Sequence, residues 1–220
     1  MDELIQKIAV FGIPVLFAIT LHEAAHGYVA SRLGDRTALM LGRVTLNPMK
    51  HIDPIGTIAM PIFLYLATGG SFVFGYAKPV PVNFGNLNNP RRDTALVALA
   101  GPASNYLQAL LWGVVVLIVA RLGVEERFFY EVAKAGVLVN LVMAVFNLFP
   151  LPPLDGGRIL ASLLPYRQAA ALGRLEPYGF FIVMALVLEG IVGRWWMRPL
   201  MTLSYTAINL LLSPVRALLG

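Results

Sequence analysis

The longest apolar run in the chain, residues 94–120, contains no Asp, Glu, Lys or Arg. A helix of about 20 apolar residues is long enough to cross the hydrocarbon core of a bilayer. Hydrophobic residues make up 58% of the whole chain and charged residues only 13%, which is too little charge for the surface of a soluble domain. The sequence therefore predicts an all-α polytopic membrane protein.

Five other apolar stretches lie along the chain. Four approach the length of a membrane helix, at about 4–33, 128–149, 178–193 and 200–219. The fifth, 55–67, is short for a span and contains Gly56 and Pro61. We expect about five to six transmembrane helices, with 55–67 as a re-entrant segment, because irregular backbone at membrane depth is tolerated where protein covers it.

The composition excludes several classes of site. Cysteine is absent, which rules out disulfides, thiol catalysis and Cys-ligated metals. The net charge is +5, and in a membrane protein such an excess serves orientation and contact with the anionic headgroups of membrane lipids. No basic run is interleaved with aromatic residues, so we expect no nucleic-acid partner.

The first apolar stretch contains His22-Glu23-Ala24-Ala25-His26, which fits the H-E-x-x-H metal-binding pattern. On a helix, positions i and i+4 share one face, so the two imidazoles can bind one Zn²⁺. Zinc acidifies a water that it binds, and Glu23 is placed to accept the proton. The alternative is a pair of histidines that only contact other helices, but ionisable residues in membrane helices are costly and usually functional.

A catalytic zinc has three protein ligands and one open position, so another ligand must come from elsewhere in the chain. Asp155 lies in a proline-broken segment after the 128–149 stretch. Glu189 and His51 are the other candidates. Asp155 followed by Gly156 is also ordinary turn chemistry, so the residues by themselves leave the third ligand open.

Three motifs together resemble those of the site-2 protease family. They are HEAAH at 22–26, the N-x-x-P-x-P-x-L-D-G pattern from Asn147 to Gly156, and Gly101-Pro-Ala-Ser-Asn105. The resemblance extends over nearly the whole chain. It implies an intramembrane zinc metalloendopeptidase that hydrolyses peptide bonds within transmembrane segments of substrate proteins, in regulated intramembrane proteolysis. The chain resembles the minimal form of that family, without a soluble regulatory domain.

The resemblance also implies the roles of five residues. His22, His26 and Asp155 are the expected ligands of one Zn²⁺ per chain, and Glu23 is the expected general base. Asn147 is the expected hydrogen-bond donor on the oxyanion side. The implied partners are a transmembrane protein substrate and membrane lipids. The substrate's identity, the cleavage position, the regulatory signal and the oligomeric state stay open.

We expect a single transmembrane protease domain over residues 1–220, because no polar stretch is long enough to fold alone. Its metal-site core takes in about 4–157, and a C-terminal helical hairpin takes in about 178–219. Two segments indicate short β-strands near the active site. Residues 43–47 alternate in polarity, and 78–83 carries alternating prolines that suit an edge strand.

Ligands of one metal must lie on the same side of the bilayer. His26 lies near the end of its predicted helix and Asp155 follows the end of another, with 55–67, 94–120 and 128–149 between them. An even number of crossings must therefore separate the two ligands. We expect 55–67 to enter and leave the membrane from one face.

Positive charge favours the same topology. With 55–67 re-entrant, one side of the membrane receives 11 of the 17 Lys and Arg residues, against 9 if the segment crosses. The eleven are Arg32, Arg36, Arg43, Lys50, Lys78, Arg91, Arg92, Arg158, Arg167, Arg174 and Arg216. Positive residues favour the inner side, so we expect a multi-pass protein of a prokaryotic cell membrane with its active site toward the cytoplasm.

Other polar residues in apolar surroundings have ordinary structural explanations. Asn105 and Asn140 are expected to form hydrogen bonds between membrane helices. His51 lies among turn-forming residues and is expected to hold a loop. Glu189 is expected either to pair with a polar group such as Asn209 or to lie near the membrane interface.

Two other functions compete with proteolysis. A metal transporter would not need Glu23 as a base and would show ligands repeated in both halves of the chain, which the sequence lacks. A membrane scaffold would carry a degenerate site, whereas both histidines, the glutamate and Asp155 are all present.

Overall fold

The computed structural model describes residues 2–70 and 75–219. Within these ranges the structure is helical and contains no β-strand. Three helices are long and apolar enough to cross a membrane: α1 (Asp2–Arg32), α4 (Pro90–Arg121) and α5 (Arg127–Asn147). The prediction of an all-α fold with apolar helices is confirmed.

Shorter helices connect or flank these three. They are α2 (Thr37–Met40), α3 (Met60–Ala67), α6 (Asp155–Leu163), α7 (Tyr166–Gly173), α8 (Glu176–Leu188), α9 (Arg198–Leu211) and α10 (Ser213–Leu219). There are also 3₁₀ turns at Pro48–Lys50 and Phe84–Asn86, and π-helical turns at Pro54–Ala59 and Val192–Met197.

Helix α4 begins and ends at residues that are typical of helix termini. Pro90 occupies the first turn, where its missing N–H is not needed. The Asp93 carboxylate accepts a hydrogen bond from the Asn89 N–H at 2.8 Å, in the manner of a capping box. Gly123, with φ +60°, follows the last turn in the left-handed conformation that terminates helices. The helix therefore starts about one turn before the predicted 94–120.

The centre of the molecule is formed by α1, α4 and α5, which pack against one another. A buried apolar cluster joins α4, α5 and α9 through Ala109, Leu141, Ile208 and Leu212. Many large apolar side chains on the outer faces are exposed, as expected for helices that contact lipid rather than water.

The described helices supply three candidate spans, or four if α7 and α8, bent by 70° at their break, are one span. The predicted number of five to six is not confirmed. The C-terminal stretches contribute less than expected. By itself α8 has only 13 residues, and α9 continues from the π-helical turn Val192–Met197 in a run that contains Arg194 and Arg198 and is not among the candidate spans. Gly190, with φ +72°, separates α8 from this run.

The predicted β-strands at 43–47 and 78–83 are not confirmed, since both segments are bent or extended without forming strands. Two prolines remove N–H groups from 78–83. Three of its other N–H groups bond to side-chain carboxylates or to a loop carbonyl. In 43–47 the Thr45 carbonyl accepts a hydrogen bond from the His51 ring. Side chains and loops, rather than a neighbouring strand, satisfy this backbone.

Candidate metal centre

The H-E-x-x-H histidines lie one turn apart toward the C-terminal end of α1 and share one face. Their Nε2 atoms are 3.0 Å apart. Asp155, the first residue of α6, brings its Oδ2 atom to 3.3 Å from His22 Nε2 and 3.4 Å from His26 Nε2. Among the residues that the structure describes, these three form the one group of His, Asp and Glu side chains with ligand atoms all within 4.8 Å.

Asp155 reaches the histidines because the chain between α5 and α6 is folded tightly against the start of α6. A Cβ atom on Gly156 would collide with the backbone of Leu148 and Phe149. A Cβ atom on Gly157 would collide with the backbone around Pro152. Only glycine at both positions permits this close approach. Asp155, Gly156 and Gly157 form the first turn of α6 rather than a separate turn, and this close packing of the helix start directs the Asp155 carboxylate at the histidines.

Each histidine is held through its other ring nitrogen. His22 Nδ1 lies 2.6 Å from Asn105 Oδ1, and His26 Nδ1 lies 2.7 Å from the Val97 carbonyl oxygen. The Asn105 side chain is fully buried, and its amide nitrogen donates to Asn140 Oδ1 at 2.8 Å and to the Ala18 carbonyl at 3.2 Å. Both hydrogen bonds from the Asn105 amide nitrogen thus go to other oxygens, so Asn105 Oδ1 is the acceptor for the His22 ring.

This network leaves three electron-pair donors facing one another. A carbonyl oxygen can only accept, so His26 carries its proton on Nδ1, and the Asn105 amide imposes the same tautomer on His22. Both Nε2 atoms then present lone pairs. Asp155 Oδ2 is buried and has no hydrogen-bond donor among the described residues. Three converging acceptors without a donor fit a bound cation, and two imidazoles with one carboxylate are a donor set that suits zinc.

Gly101 of α4 lies directly over the imidazole pair. A Cβ atom at this position would collide with His26 Nε2 and His22 Cε1. The absence of a side chain therefore lets α4 approach closely enough for Asn105 and Val97 to hold the two rings. Gly101 thus permits a close helix contact, and the contact is with the histidines themselves.

Glu23 is half-buried beside the histidines, and its Oε2 atom accepts a hydrogen bond from the Val80 N–H at 2.7 Å. Val80 belongs to the extended segment 78–83. The contact holds the carboxylate through one oxygen and leaves its second oxygen for another partner.

The remaining candidates lie outside the cluster. Asn147 ends α5, and its amide nitrogen donates to the Met143 carbonyl at 2.9 Å. His51 is fully buried, with Nε2 3.0 Å from the Thr45 carbonyl, which agrees with the predicted loop role. Glu189 is exposed after the end of α8. Neither His51 nor Glu189 contributes to the three-residue group.

Asn105 and Val97 are the residues whose contacts at this site the sequence did not predict. Asn105 does form the predicted hydrogen bond to Asn140, but it also holds His22. The sequence signal for the contact with His22 was the position of Asn105 in the Gly101-Pro-Ala-Ser-Asn105 motif. The Val97 contact uses a backbone carbonyl, for which any residue type would serve, so no sequence signal exists.

Comparison with known proteins gives the family. The model for peptidase family M50 matches residues 124–189, a range that includes Asp155. YwhC of Bacillus subtilis, named as a zinc metalloprotease, is 37% identical over 212 residues, which are 92% of this chain and 90% of YwhC. This chain belongs to peptidase family M50, the site-2 protease family.

Other relatives of this M50 peptidase are more distant. Rip2 of Mycolicibacterium smegmatis, also named as a zinc metalloprotease, is 31% identical over 188 residues, covering 82% of this chain and 67% of Rip2. Stage IV sporulation protein FB of Bacillus subtilis is 26% identical over 159 residues, covering 70% of this chain and 52% of that protein. No solved structure matches the chain significantly. The M50 peptidase is a zinc metalloprotease, and its apolar helices are those of a multi-pass membrane protein.

Proposed function

We propose that this peptidase hydrolyses peptide bonds within transmembrane segments of other proteins. His22, His26 and Asp155 hold one zinc ion per chain, Glu23 is the general base, and Asn147 donates a hydrogen bond on the oxyanion side. The observation that carries the proposal is the convergence of three ligand atoms within 4.8 Å of one another, two of them on a helix long enough to span a membrane.

A zinc ion at this position supplies Lewis-acid chemistry, by acidifying a water and polarising a carbonyl group. Glu23 accepts the proton of the attacking water and then delivers it to the nitrogen of the departing amine. The Val80 N–H bonds one carboxylate oxygen, so the other is free to receive and return the proton. Asn105 and the Val97 carbonyl keep both imidazoles in the tautomer that has a lone pair on Nε2.

Asn147 has a second amide N–H group for its proposed role. Its amide nitrogen donates one hydrogen bond to the carbonyl of Met143, four residues earlier in the same helix. The other N–H group is available to an oxyanion. Asn147 lies only eight positions before Asp155, at the end of the helix that leads to it.

The substrate must expose its peptide bond by unwinding. Segment 43–47, which is bent at 44–46, and segment 78–83 lie beside the site, and an unwound strand can add to exposed backbone by hydrogen bonding. In 78–83 the N–H groups of Lys78, Val80 and Asn83 are used within the protein and two other positions are proline. In 43–47 the protein uses the N–H groups of Arg43 and Asn47, so fewer of its N–H groups are occupied.

The proposed topology has five spanning helices and one re-entrant segment. Its support comes from two hydrogen bonds that join the start of the segment Pro54–Ala67 to the chain that follows it. The Lys78 N–H donates to the His51 carbonyl at 3.0 Å, and the Tyr76 N–H donates to the Gly56 carbonyl at 3.0 Å. The chain after this helical segment therefore returns to the point from which the segment departed, as a re-entrant hairpin does.

The single domain over 1–220, with its metal-site core at about 4–157 and its C-terminal helices at about 178–219, is part of the same proposal. The location in a prokaryotic cell membrane is part of it as well, and so is the cytoplasmic side of the site, for which the distribution of positive charge is the support. The proposed partners are transmembrane protein substrates and lipids.

The experiment measures zinc and cleavage together, using the purified full chain and a model single-span peptide in detergent or liposomes. Glu23→Gln keeps the side-chain shape but cannot accept a proton. We expect retained zinc and a cleavage rate lower by about 10²-fold or more. Cleavage near the wild-type rate in Glu23→Gln contradicts the mechanism.

Ligand variants complete the test. His22→Ala, His26→Ala and Asp155→Ala are each expected to lose zinc, whereas Glu189→Gln, which alters an exposed carboxylate outside the cluster, is expected to keep it. Full zinc retention in Asp155→Ala contradicts its assignment as the third ligand. Cleavage of a soluble peptide with no cleavage of any single-span peptide contradicts the intramembrane substrate.

A further inference from the structure

Gln108 of α4 is a polar side chain whose bonding capacity is unmet. Only 5% of the residue is exposed, yet neither its amide oxygen nor its amide nitrogen has a hydrogen-bond partner among the described residues. An amide has two donors and an acceptor, and leaving them unpaired in apolar surroundings is unfavourable because the hydrogen bonds to water are lost without replacement. The mechanism proposed above makes no use of this residue.

The Gln108 side chain lines an apolar groove of about 480 Å³. One wall is the face of α1 that includes Leu21, Ala24 and Ala25, and the opposite wall is the face of α4 that includes Gln108. The bent segment 44–46 forms the third side. The groove thus runs beside the helical turn that carries the catalytic motif, because the three α1 residues flank His22 and Glu23.

We propose that this groove receives the transmembrane segment of the substrate and that Gln108 hydrogen-bonds to it there. The inference rests on the proposed intramembrane cleavage. Lipid chains offer no hydrogen-bonding groups to the Gln108 amide. A substrate helix that unwinds toward its cleavage site offers both free N–H and free C=O groups, and a polar substrate side chain offers the same chemistry.

The depth of Gln108 gives the expected position of the contact. Gly101 lies at the level of the histidines, and Gln108 follows it by seven residues of α4, which is about 10 Å along the helix. The direction is away from the end of α1, because the Asn88 N–H before α4 bonds to the Leu33 carbonyl after α1. A span of 10 Å corresponds to about three extended or seven helical substrate residues on the bilayer-interior side of the scissile bond.

The first test is a substrate scan. A poly-Leu single-span peptide receives one Asn at successive positions from about two to nine residues interior to the cleavage site. For wild type, kcat/KM relative to the all-Leu peptide is expected to rise about three- to tenfold at one position between the third and the seventh. In Gln108→Leu this ratio is expected to fall to about one.

Two variants keep this comparison interpretable. Gln168→Leu makes the same change on an exposed side chain of α7 and is expected to keep the preference. Gln108→Met, which keeps the length of the side chain, replaces Gln108→Leu if the leucine variant does not fold, as judged by zinc content and monodispersity. Retention of the Asn preference in the folded variant overturns the role of Gln108.

The second test is cross-linking, for which the absence of cysteine is an advantage. In the Glu23→Gln background, Gln108→Cys is expected to form a disulfide with a cysteine at the preferred substrate position. Val142→Cys, on the exposed part of α5 outside the groove, is expected not to. Equal cross-linking at both positions, or a disulfide between two 108 positions that substrate does not suppress, overturns the assignment.

Cleavage of the single-span peptides by wild type distinguishes a failure of the inference about Gln108 from a failure of the proposed function. If wild type cleaves single-span peptides without preference for Asn at any position, only the inference about Gln108 fails. If wild type cleaves none of them, the proposed function and the inference fall together.

Discussion

At the scale of single residues, Gly101 leaves no room for a side chain beside the two histidines that are proposed as ligands. A Cβ atom there collides with the rings of His22 and His26, and neither ring can retreat without breaking its bond to Asn105 or Val97. Gly101→Ala is expected to lower zinc affinity by about tenfold or more, as measured by competition with a zinc chelator.

The matched control for Gly101→Ala is Gly12→Ala. Gly12 lies in α1, and a Cβ atom there would have no neighbour within 4 Å. The control is expected to bind zinc as the wild type does, since alanine is favoured over glycine in a helix. An unchanged zinc affinity in Gly101→Ala would show that the imidazole pair tolerates displacement and that this packing does not fix the site.

A substitution of Asn105 tests whether the contact at His22 Nδ1 affects zinc affinity. Asn105→Ala removes the acceptor for His22 Nδ1 and is expected to lower zinc affinity by about 10- to 100-fold, the range for residues that orient metal ligands. The exposed amide of Asn209 supplies the comparison, since Asn209→Ala removes a side chain of the same type away from the site. Equal zinc affinity in the two variants would contradict the orienting role.

At the scale of elements, the connections after α1 are held by Asp35. Its fully buried carboxylate accepts hydrogen bonds from the Thr37 backbone and hydroxyl groups, from the Asn83 N–H at 2.8 Å, and from the Asn86 amide at 3.1 Å. One side chain thus joins the start of α2 to the loop that follows the extended segment 78–83. Because that segment also contacts Glu23, the position of the proposed general base depends on a connection outside the membrane helices.

These contacts predict a dependence of stability on acid. Burial by itself raises the pKa of the Asp35 carboxyl, but the hydrogen bonds from Thr37, Asn83 and Asn86 outweigh it and hold the pKa below its ordinary value. A lowered folded-state pKa means that the stabilisation is complete above the unfolded-state pKa of about 3.9 and is lost as the pH falls through the folded-state value.

Asp35→Asn is therefore expected to lower the Tm at neutral pH by about 2–8 °C and to weaken the fall of Tm below about pH 4. Thermal unfolding in detergent over that pH range measures both effects. Glu125→Gln, at an exposed carboxylate in the turn before α5, is expected to change neither. Parallel Tm curves for Asp35→Asn and wild type below pH 4 would show that Asp35 does not contribute to the acid transition.

At the scale of the whole molecule, the proposed re-entrant hairpin decides which side of the membrane each ligand reaches. The Lys7 Nζ atom lies 5.7 Å from the centre of the Tyr65 ring. Lys7 precedes Glu23 by 16 residues of α1, which corresponds to about 24 Å along the helix. The tip of the hairpin therefore reaches most of the way along α1, so labelling at the tip does not discriminate between a hairpin and a crossing. Positions before and after the hairpin do.

Single cysteines at the exposed positions Met49, Asn89, Gln168 and Glu125 test the topology in this Cys-free chain. An impermeant thiol reagent applied to intact cells is expected to label only the cysteine at 125, and the other three only after the membrane is opened. The reason is that ligands of one metal cannot be separated by about 30 Å of hydrocarbon. Each variant is first checked for cleavage.

The outcomes of labelling separate the topologies. Labelling of 89 from outside, with 49 protected, would mean that Pro54–Ala67 crosses the membrane. Labelling of 168 from outside, with 49 protected, would separate Asp155 from the histidines and contradict the three-residue site.

The sequence by itself determined the class of molecule and the chemistry of the candidate ligands. Apolar length predicted α1, α4 and α5, because a helix in lipid must satisfy its own backbone hydrogen bonds. The i and i+4 spacing of the two histidines predicted a shared face, which is a local property of any helix. Family resemblance, rather than spacing, selected Asp155 from among three candidates.

Tertiary structure decided everything that joins distant parts of the chain. The approach of Asp155 to the histidines depends on close packing at Gly156, and the tautomers of the rings depend on Asn105 and on the Val97 carbonyl of another helix. The predicted strands were not found because side chains and loop groups bond to backbone that a strand would have used. Such contacts bring together residues far apart in the chain, and neither periodicity nor local propensity contains that information.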